Sequence, residues 1–293
     1  MFLKNAWYVA ARKGEQTESL FHRRILDEPV LIYRQRNGVP VAISDRCAHR
    51  FAPLHMGRLD GDVVECAYHG PRFDGTGACF FNPHGDGKIP NAARIKSYPV
   101  IERHSLLWIW MGDASRVDST LIPDYSFLTD KKRGVVGGYV LTQAHYGLLI
   151  DNLLDLSHTQ FLHRGFQDAE GFLQGRHEVV EQANSIQSNT WAPNAQPPAF
   201  FAGRLSDTGI MVDLWADMRL DAPSCLRLDT GVTPTGTLRD NGVSSISSHI
   251  LTPETDSTTH SLRTHALITS TTHMPMRQFA TGKKSALRNK TNR

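Results

Sequence analysis

Two short Cys/His pairs constrain this chain more than any other feature. Cys47-Ala48-His49 and Cys66-Ala67-Tyr68-His69 are separated by sixteen residues. Each pair can bring one thiolate and one imidazole to a shared point only if both sit in loops held side by side by rigid flanks. Those flanks read as hairpins. Pro29–Gln35 and Val39–Ser44 bracket Arg36-Asn37-Gly38, a turn that supplies the positive backbone angles a tight hairpin needs. Val63–Ala67 meets Arg72–Phe81, whose two glycines mark another turn, and Tyr98–Glu102 with Leu106–Met111 forms one more hairpin. A small all-β unit ending near Gly112 follows.

Four cysteines in 293 residues are too few for a disulfide framework, which leaves reduced thiols or metal ligands. Two Cys/His pairs suit a two-iron, two-sulfide cluster, with both thiolates on one iron and both imidazoles on the other. Neutral histidine donates less charge than thiolate, so such a cluster has a higher potential than an all-cysteine one. A tetrahedral zinc ion is the competing occupant, although zinc modules usually pair Cys with Cys and His with His. Cys79 and Cys225 have no histidine at ligand spacing and read as buried small side chains.

Residues 112–133 turn to Asp, Ser, Pro and Lys, as expected of a connection between domains. Beyond it a strand is expected at Gly138–Ala144 and a helix over Tyr146–His163, where Leu148, Leu149, Leu153, Leu156, Phe161 and Leu162 approximate an apolar stripe. Segments at Glu178–Trp191, Phe200–Leu205, Ile210–Leu220 and Val243–Leu251 suggest a mainly antiparallel sheet. Within the expected helix, Asp155 and His158 share a face and can hydrogen-bond, whereas His158 and His163 meet one metal only if the helix distorts between them.

The net charge of +3 divides unevenly: residues 1–256 carry −4, and Ser257–Arg293 carry +7 with no acidic residue. The body has no interleaved basic and aromatic groove, which argues against nucleic acid as a partner. No apolar run approaches a membrane span and the N-terminus lacks a secretory pattern, so a cytoplasmic location is the expectation.

Arg46–Phe51 (RCAHRF), Cys66–Gly70 (CAYHG) and Phe73–Cys79 (FDGTGAC) together resemble the Rieske domain of the Rieske-type non-haem iron oxygenases. Pro71 departs from the larger apolar residue usual after His-Gly and puts the loop geometry in question. The resemblance implies an α+β protein: an N-terminal all-β Rieske domain at 1–114, a linker at 115–133, and an antiparallel-sheet helix-grip catalytic domain at 134–260. It makes Cys47, His49, Cys66 and His69 the ligands of a [2Fe-2S] cluster. Asn152, Asp155, His158 and His163 match the family's N-x-x-D-x-x-H-x4-H pattern, in which the two histidines ligate a mononuclear Fe(II). Asp155 would then link His158 to His69 of a neighbouring chain, implying a homotrimer. A separate flavin and iron–sulfur reductase would bring electrons from NADH.

The resemblance covers roughly residues 1–260. It is greatest to toluenesulfonate methyl-monooxygenase, on Leu20–Arg34 and Asp229–Gly236, within a branch that also holds the vanillate and dicamba O-demethylases. An aromatic acid bearing a methyl or methoxy group is the implied substrate. Trp191, Phe200, Phe201, Met211, Trp215 and Met218 are the candidate pocket walls. The family's third iron ligand is a carboxylate near the C-terminus, yet no acid follows Asp256. The expectation is therefore a divergent basic tail from Ser261 to Arg293, a missing final helix, and truncation. The alternative is a catalytically impaired protein that keeps only the cluster.

Overall fold

The computed structural model describes residues 1–15, 19–162, 172–205 and 209–268. The N-terminal part is three small sheets. β1 (Ala6–Arg12), β10 (Val100–Arg103) and β11 (Leu106–Met111) form one, in the order β1-β11-β10. β2 (Phe21–Ile25), β3 (Glu28–Arg34), β4 (Pro40–Ser44) and β9 (Ser97–Tyr98) form the second, and β5 (Arg58–Asp60), β6 (Val63–Glu65), β7 (Arg72–Phe73) and β8 (Cys79–Phe81) the third. The expected hairpin turn closes at Gly38, whose φ is +83° and whose N–H donates to the Gln35 carbonyl at 2.8 Å.

β11 is buried on both faces, and its period of two explains why. Leu106, Trp108 and Trp110 point into a core shared with the C-terminal part, while Leu107, Ile109 and Met111 point into the core of the N-terminal part. β1 divides likewise, with Trp7 and Val9 on one side and Tyr8 and Ala10 on the other. The stretch read as a connection between domains is partly buried. Ile122, Tyr125 and Phe127 fill the shared core, and the Tyr125 hydroxyl donates to the Leu226 carbonyl at 3.1 Å. Its polar residues have a local use: Asp113 and Asp118 cap short 3-10 turns by accepting the N–H of Ser115 and Thr120.

The C-terminal part is one seven-stranded antiparallel sheet. β12 (Arg133–Thr142), β13 (Arg176–Gln182), β14 (Ser185–Ala195), β15 (Val212–Asp221), β16 (Cys225–Pro234), β17 (Val243–Pro253) and β18 (Thr259–Ile268) run in the order β12-β18-β17-β16-β15-β14-β13. Its outer face meets the Rieske domain through Cys225, Ile250, Leu262 and Ala266. Its inner face, with Leu214, Ala216, Met218, Leu226, Leu228 and Leu251, is covered by Leu149, Ile150, Leu153 and Leu154 of helix α1 (Tyr146–Leu154). Residues 159–162 make a short second helix, and Ala199–Ala202 a third.

Two expectations are corrected here. The strand expected at Gly138–Ala144 begins earlier, at Arg133, and ends at Thr142. The catalytic unit does not stop at residue 260: β18 crosses that point, pairing with β12 on one side and β17 on the other, and buries Ser261, Leu262, Thr264 and Ala266. Alternating small and apolar side chains at 262, 264 and 266 suit the outer face of a central strand, whatever the charge of the exposed positions between them.

Candidate metal sites

The two ligand loops have the same backbone design. The Cys47 N–H donates to the Ala52 carbonyl at 2.9 Å and the Phe51 N–H to the Cys47 carbonyl at 3.0 Å. In the second loop the Cys66 N–H donates to the Pro71 carbonyl and the Gly70 N–H to the Cys66 carbonyl, both at 3.0 Å. The fourth residue after each cysteine is left-handed, Phe51 at φ +57° and Gly70 at φ +73°. Pro71 fits because this position contributes only its carbonyl; the missing N–H is never called upon.

These loops bury both thiols and leave the imidazoles at the surface. Cys47 and Cys66 are almost inaccessible, whereas His49 is exposed and His69 partly so. The His49 and His69 ring centroids lie 4.7 Å apart. Burial, with the Cys66 thiol alongside, pushes the Cys47 thiol up to about 11. A thiolate here needs a strong positive partner, which a ferric centre provides. His69 is shifted below the usual histidine value by lost solvent and by the nearby His49, His84 and Arg50, which favours the neutral, ligating form. Among the described residues no three His, Cys, Asp or Glu side chains converge on one point. That favours two irons sharing two pairs over a single tetrahedral zinc ion.

Sequence reasoning missed the supports of these loops. Asp45 accepts the His55 N–H at 2.8 Å and its ring Nδ1–H at 2.5 Å, bracing the first loop, and the His55 ring stacks on His22 at 3.7 Å. His84 donates from Nε2 to the His69 carbonyl at 2.9 Å. The only available signal was position: each polar residue lies near a ligand loop.

The second constellation is arranged differently from the expected continuous helix. α1 ends at Leu154, and Asp155, with ψ 89°, starts a 3-10 turn over Leu156–His158. The break has a local cause. The Asp155 carboxylate accepts the Ser157 N–H at 3.0 Å and the Ser157 hydroxyl at 2.5 Å, a capping arrangement that competes with helix continuation. The Ser157 contacts hold the Asp155 carboxyl below its usual value. His158 Nδ1–H donates to the Asp155 backbone carbonyl. A carbonyl only accepts, so Nδ1 carries the proton and Nε2 is the basic nitrogen suited to a metal. Asn152 and Asp155 are exposed. His163 lies outside the described residues. The cluster's donor set is thus complete, while the mononuclear set is represented by His158.

Of the six pocket candidates, Phe201 and Met218 are buried in the core beneath α1, with Phe200 packed against it. Trp191 and Trp215 are corrected: they stack on each other at 6.4 Å on the opposite face, under the Arg239 guanidinium. Alternation decides this, because Trp215 neighbours Leu214 and Ala216 in a strand and must point away from them. A cleft of about 810 Å³ lies elsewhere, between the domains, lined by His22, Arg23, His55, Tyr139, Glu254 and His260.

Comparison with known proteins agrees with this geometry. Residues 6–99 match the Rieske [2Fe-2S] domain and residues 142–289 the vanillate O-demethylase oxygenase C-terminal domain. The chain belongs to the Rieske-type non-haem iron oxygenases. It is 41% identical over 259 residues to the oxygenase component of dicamba O-demethylase from Stenotrophomonas maltophilia, covering 88% of this chain and 76% of that protein. It is 40% identical to the iron–sulfur subunit of the toluene-4-sulfonate monooxygenase system from Comamonas testosteroni, covering 89% and 77%. The crystal structure of dicamba monooxygenase bound to 3,6-dichlorosalicylic acid superposes with a TM-score of 0.86 at 40% identity, covering 91% of this chain and 78% of that one. The near-equal identities do not single out the sulfonate enzyme, and the C-terminal match runs past Ser261, where the resemblance had been expected to end. No helix among the described residues is long and apolar enough to cross a membrane.

Proposed function

We propose that this chain is the oxygenase component of a monooxygenase system that hydroxylates or demethylates the methyl or methoxy group of an aromatic acid such as 4-toluenesulfonate. The observation that carries the reading is the pair of matched ligand loops with buried thiols and surface imidazoles, joined to an inner sheet face covered by α1. Cys47 and Cys66 would hold one iron of the cluster, and His49 and His69 the other. Asn152, Asp155, His158 and His163 would serve the mononuclear iron. When bound, the cluster supplies single electrons and the mononuclear iron a place to activate dioxygen.

The chain buries the Cys47 and Cys66 thiols and leaves the His49 and His69 imidazoles at the surface, so that electrons would enter and leave a bound cluster on the imidazole side. The exposed carboxylate of Asp155 would meet His69 of a neighbouring protomer in a homotrimer. NADH would feed the system through a flavin and iron–sulfur reductase. The apolar inner face, lined by Met218, Leu226 and Leu228, would hold the substrate ring and exclude water.

The test is iron and acid-labile sulfide analysis of anaerobically purified protein, paired with oxygen uptake on 4-toluenesulfonate, 4-methylbenzoate and vanillate with a compatible reductase. A working oxygenase approaches about three irons to two sulfides and couples uptake to product. A second reading, a protein keeping only the cluster, gives about one to one. His69→Cys should retain iron and lower the potential; an unchanged potential rejects His69 as a ligand.

A further inference from the structure

The inner sheet face carries a polar cluster that the reading above does not use. Three cross-strand rows define it. Leu226, His249, Arg263 and Gly138 are successive partners across β16, β17, β18 and β12; Leu228, Ser247, His265 and Val136 form the next row. On the other side of Arg263, Leu251 pairs with Ser261 and Ser261 with Val140. Leu226, Leu228 and Leu251 belong to the core beneath α1, so these rows face the same space.

Four observations indicate an unfilled need for a ligand. Among the described residues the Arg263 side chain has neither an ion pair nor a hydrogen bond, and the residue is exposed. No Asp or Glu occupies the inner face of these four strands. His249 Nδ1 and the Ser261 hydroxyl, one on each side of Arg263, are buried without hydrogen-bond partners. Gly138 opens space beside Arg263, since a Cβ built there would meet nothing within 4 Å. Burial, and then the charge of Arg263 and His265, lowers His249 to about 3, so its ring is neutral and can share hydrogen bonds with an anion that Arg263 pairs.

We infer that Arg263, flanked by His249 and Ser261, is the specificity-determining anchor for the anionic group of the substrate, a sulfonate or carboxylate on the ring that the leucine floor accommodates. The inference rests on the proposed function and deepens it. A planar guanidinium suits a carboxylate or sulfonate edge, and pairing it beside the buried His249 Nδ1 and Ser261 hydroxyl would separate acids from neutral analogues.

Calorimetric titration of the intact protein with 4-toluenesulfonate, 4-methylbenzoate and the neutral isostere 4-methylbenzamide tests it. Wild type should bind the acids at least roughly tenfold more tightly than the amide. Arg263→Gln should weaken the acids roughly 10- to 100-fold and change the amide less than about twofold, and Arg263→Lys should recover part of the loss. Retention of the cluster's visible spectrum shows that the variants remain folded. Equal losses for acid and amide, or none for the acid, overturn the inference while binding and oxidation of aromatic compounds stand. If no aromatic compound, charged or neutral, is bound or oxidised, the proposed function fails and this inference fails with it.

Discussion

Substituting Gly77 by alanine should unsettle the cluster domain far more than the same change at Gly75. Both glycines lie in the turn Asp74–Ala78, where the Asp74 carboxylate accepts the N–H of Thr76 at 2.8 Å and of Ala78 at 3.1 Å. Gly77 has φ +80°, and a Cβ there would stand 2.1 Å from the Ile95 carbonyl oxygen. That oxygen cannot simply retreat, because the Ile95 N–H donates to the Gly77 carbonyl at 2.9 Å and Ile95 packs in the core with Cys47 and Cys66. Left-handed backbone costs about 1–2 kcal/mol for alanine. Losing the Ile95 bond costs about 1 kcal/mol, and shifting packed residues about another 1–3 kcal/mol. Reduced freedom of the unfolded chain returns about 0.4–1 kcal/mol, leaving a net loss of about 2–6 kcal/mol. Gly75 has ordinary φ, and its Cβ would meet side chains alone, the Val41 methyl groups at 3.2 and 3.3 Å and the Tyr33 hydroxyl at 3.6 Å. Its alanine variant should stay within about 1 kcal/mol of wild type. Urea unfolding followed by cluster absorbance and tryptophan fluorescence measures both. A Gly77→Ala loss below about 1 kcal/mol, or a Gly75→Ala loss as large, refutes the backbone argument.

Arg23 is almost buried; it donates to the Ala10 carbonyl at 2.5 Å and to Glu15 at 2.6 Å, and lies 4.8 Å over the ring of Tyr139 in the catalytic domain. Arg23→Met should cost about 3 kcal/mol, and a double-mutant cycle with Tyr139→Leu should show coupling of about 1 kcal/mol across the domain boundary; strict additivity in urea melts would contradict the contact. His260 accepts from the Tyr139 hydroxyl at 2.8 Å and donates to the Arg24 carbonyl at 2.8 Å. Burial, followed by the Arg23 charge, lowers it to about 4. The unfolded chain binds the extra proton first, so this contribution is complete above about pH 6.5 and is lost as pH falls toward 4. His260→Gln should flatten stability across that window relative to wild type; equal slopes in pH-dependent melts count against the assignment. Phe201→Ala should open a cavity under α1 and cost about 3–5 kcal/mol, with weakened substrate binding. Trp191→Ala, on the opposite face, should leave that binding within about twofold when titrated calorimetrically.

The cluster site was legible in the sequence because its chemistry is local. Two Cys/His pairs within 23 residues, between hairpins whose turns carry Gly38 and Gly77, leave few ways to arrange four donors. The second site was legible as a pattern but misread as a shape. Asp155, Ser157 and His158 looked like a helix by apolar spacing, yet the Asp155 carboxylate captures Ser157 and ends the helix, a preference that periodicity does not register. The tail was misplaced for a related reason: charge marked residues beyond 260 as an appendage, although a central strand needs small or apolar side chains only at its buried positions.

The sequence by itself determined the two Cys/His pairs, the β-rich N-terminal unit and the family, since these depend on residue identity at short spacing. Only the tertiary structure decided which face each strand residue occupies. It turned Trp191 and Trp215 away from α1 and drew the linker's Tyr125 into the core between the domains. It also set Arg263 beside His249, fourteen residues away in the chain, on the face that α1 covers. The reason is the two-residue period of a strand: a shift of one position exchanges the faces, and the register that prevents it is set by pairing between distant segments.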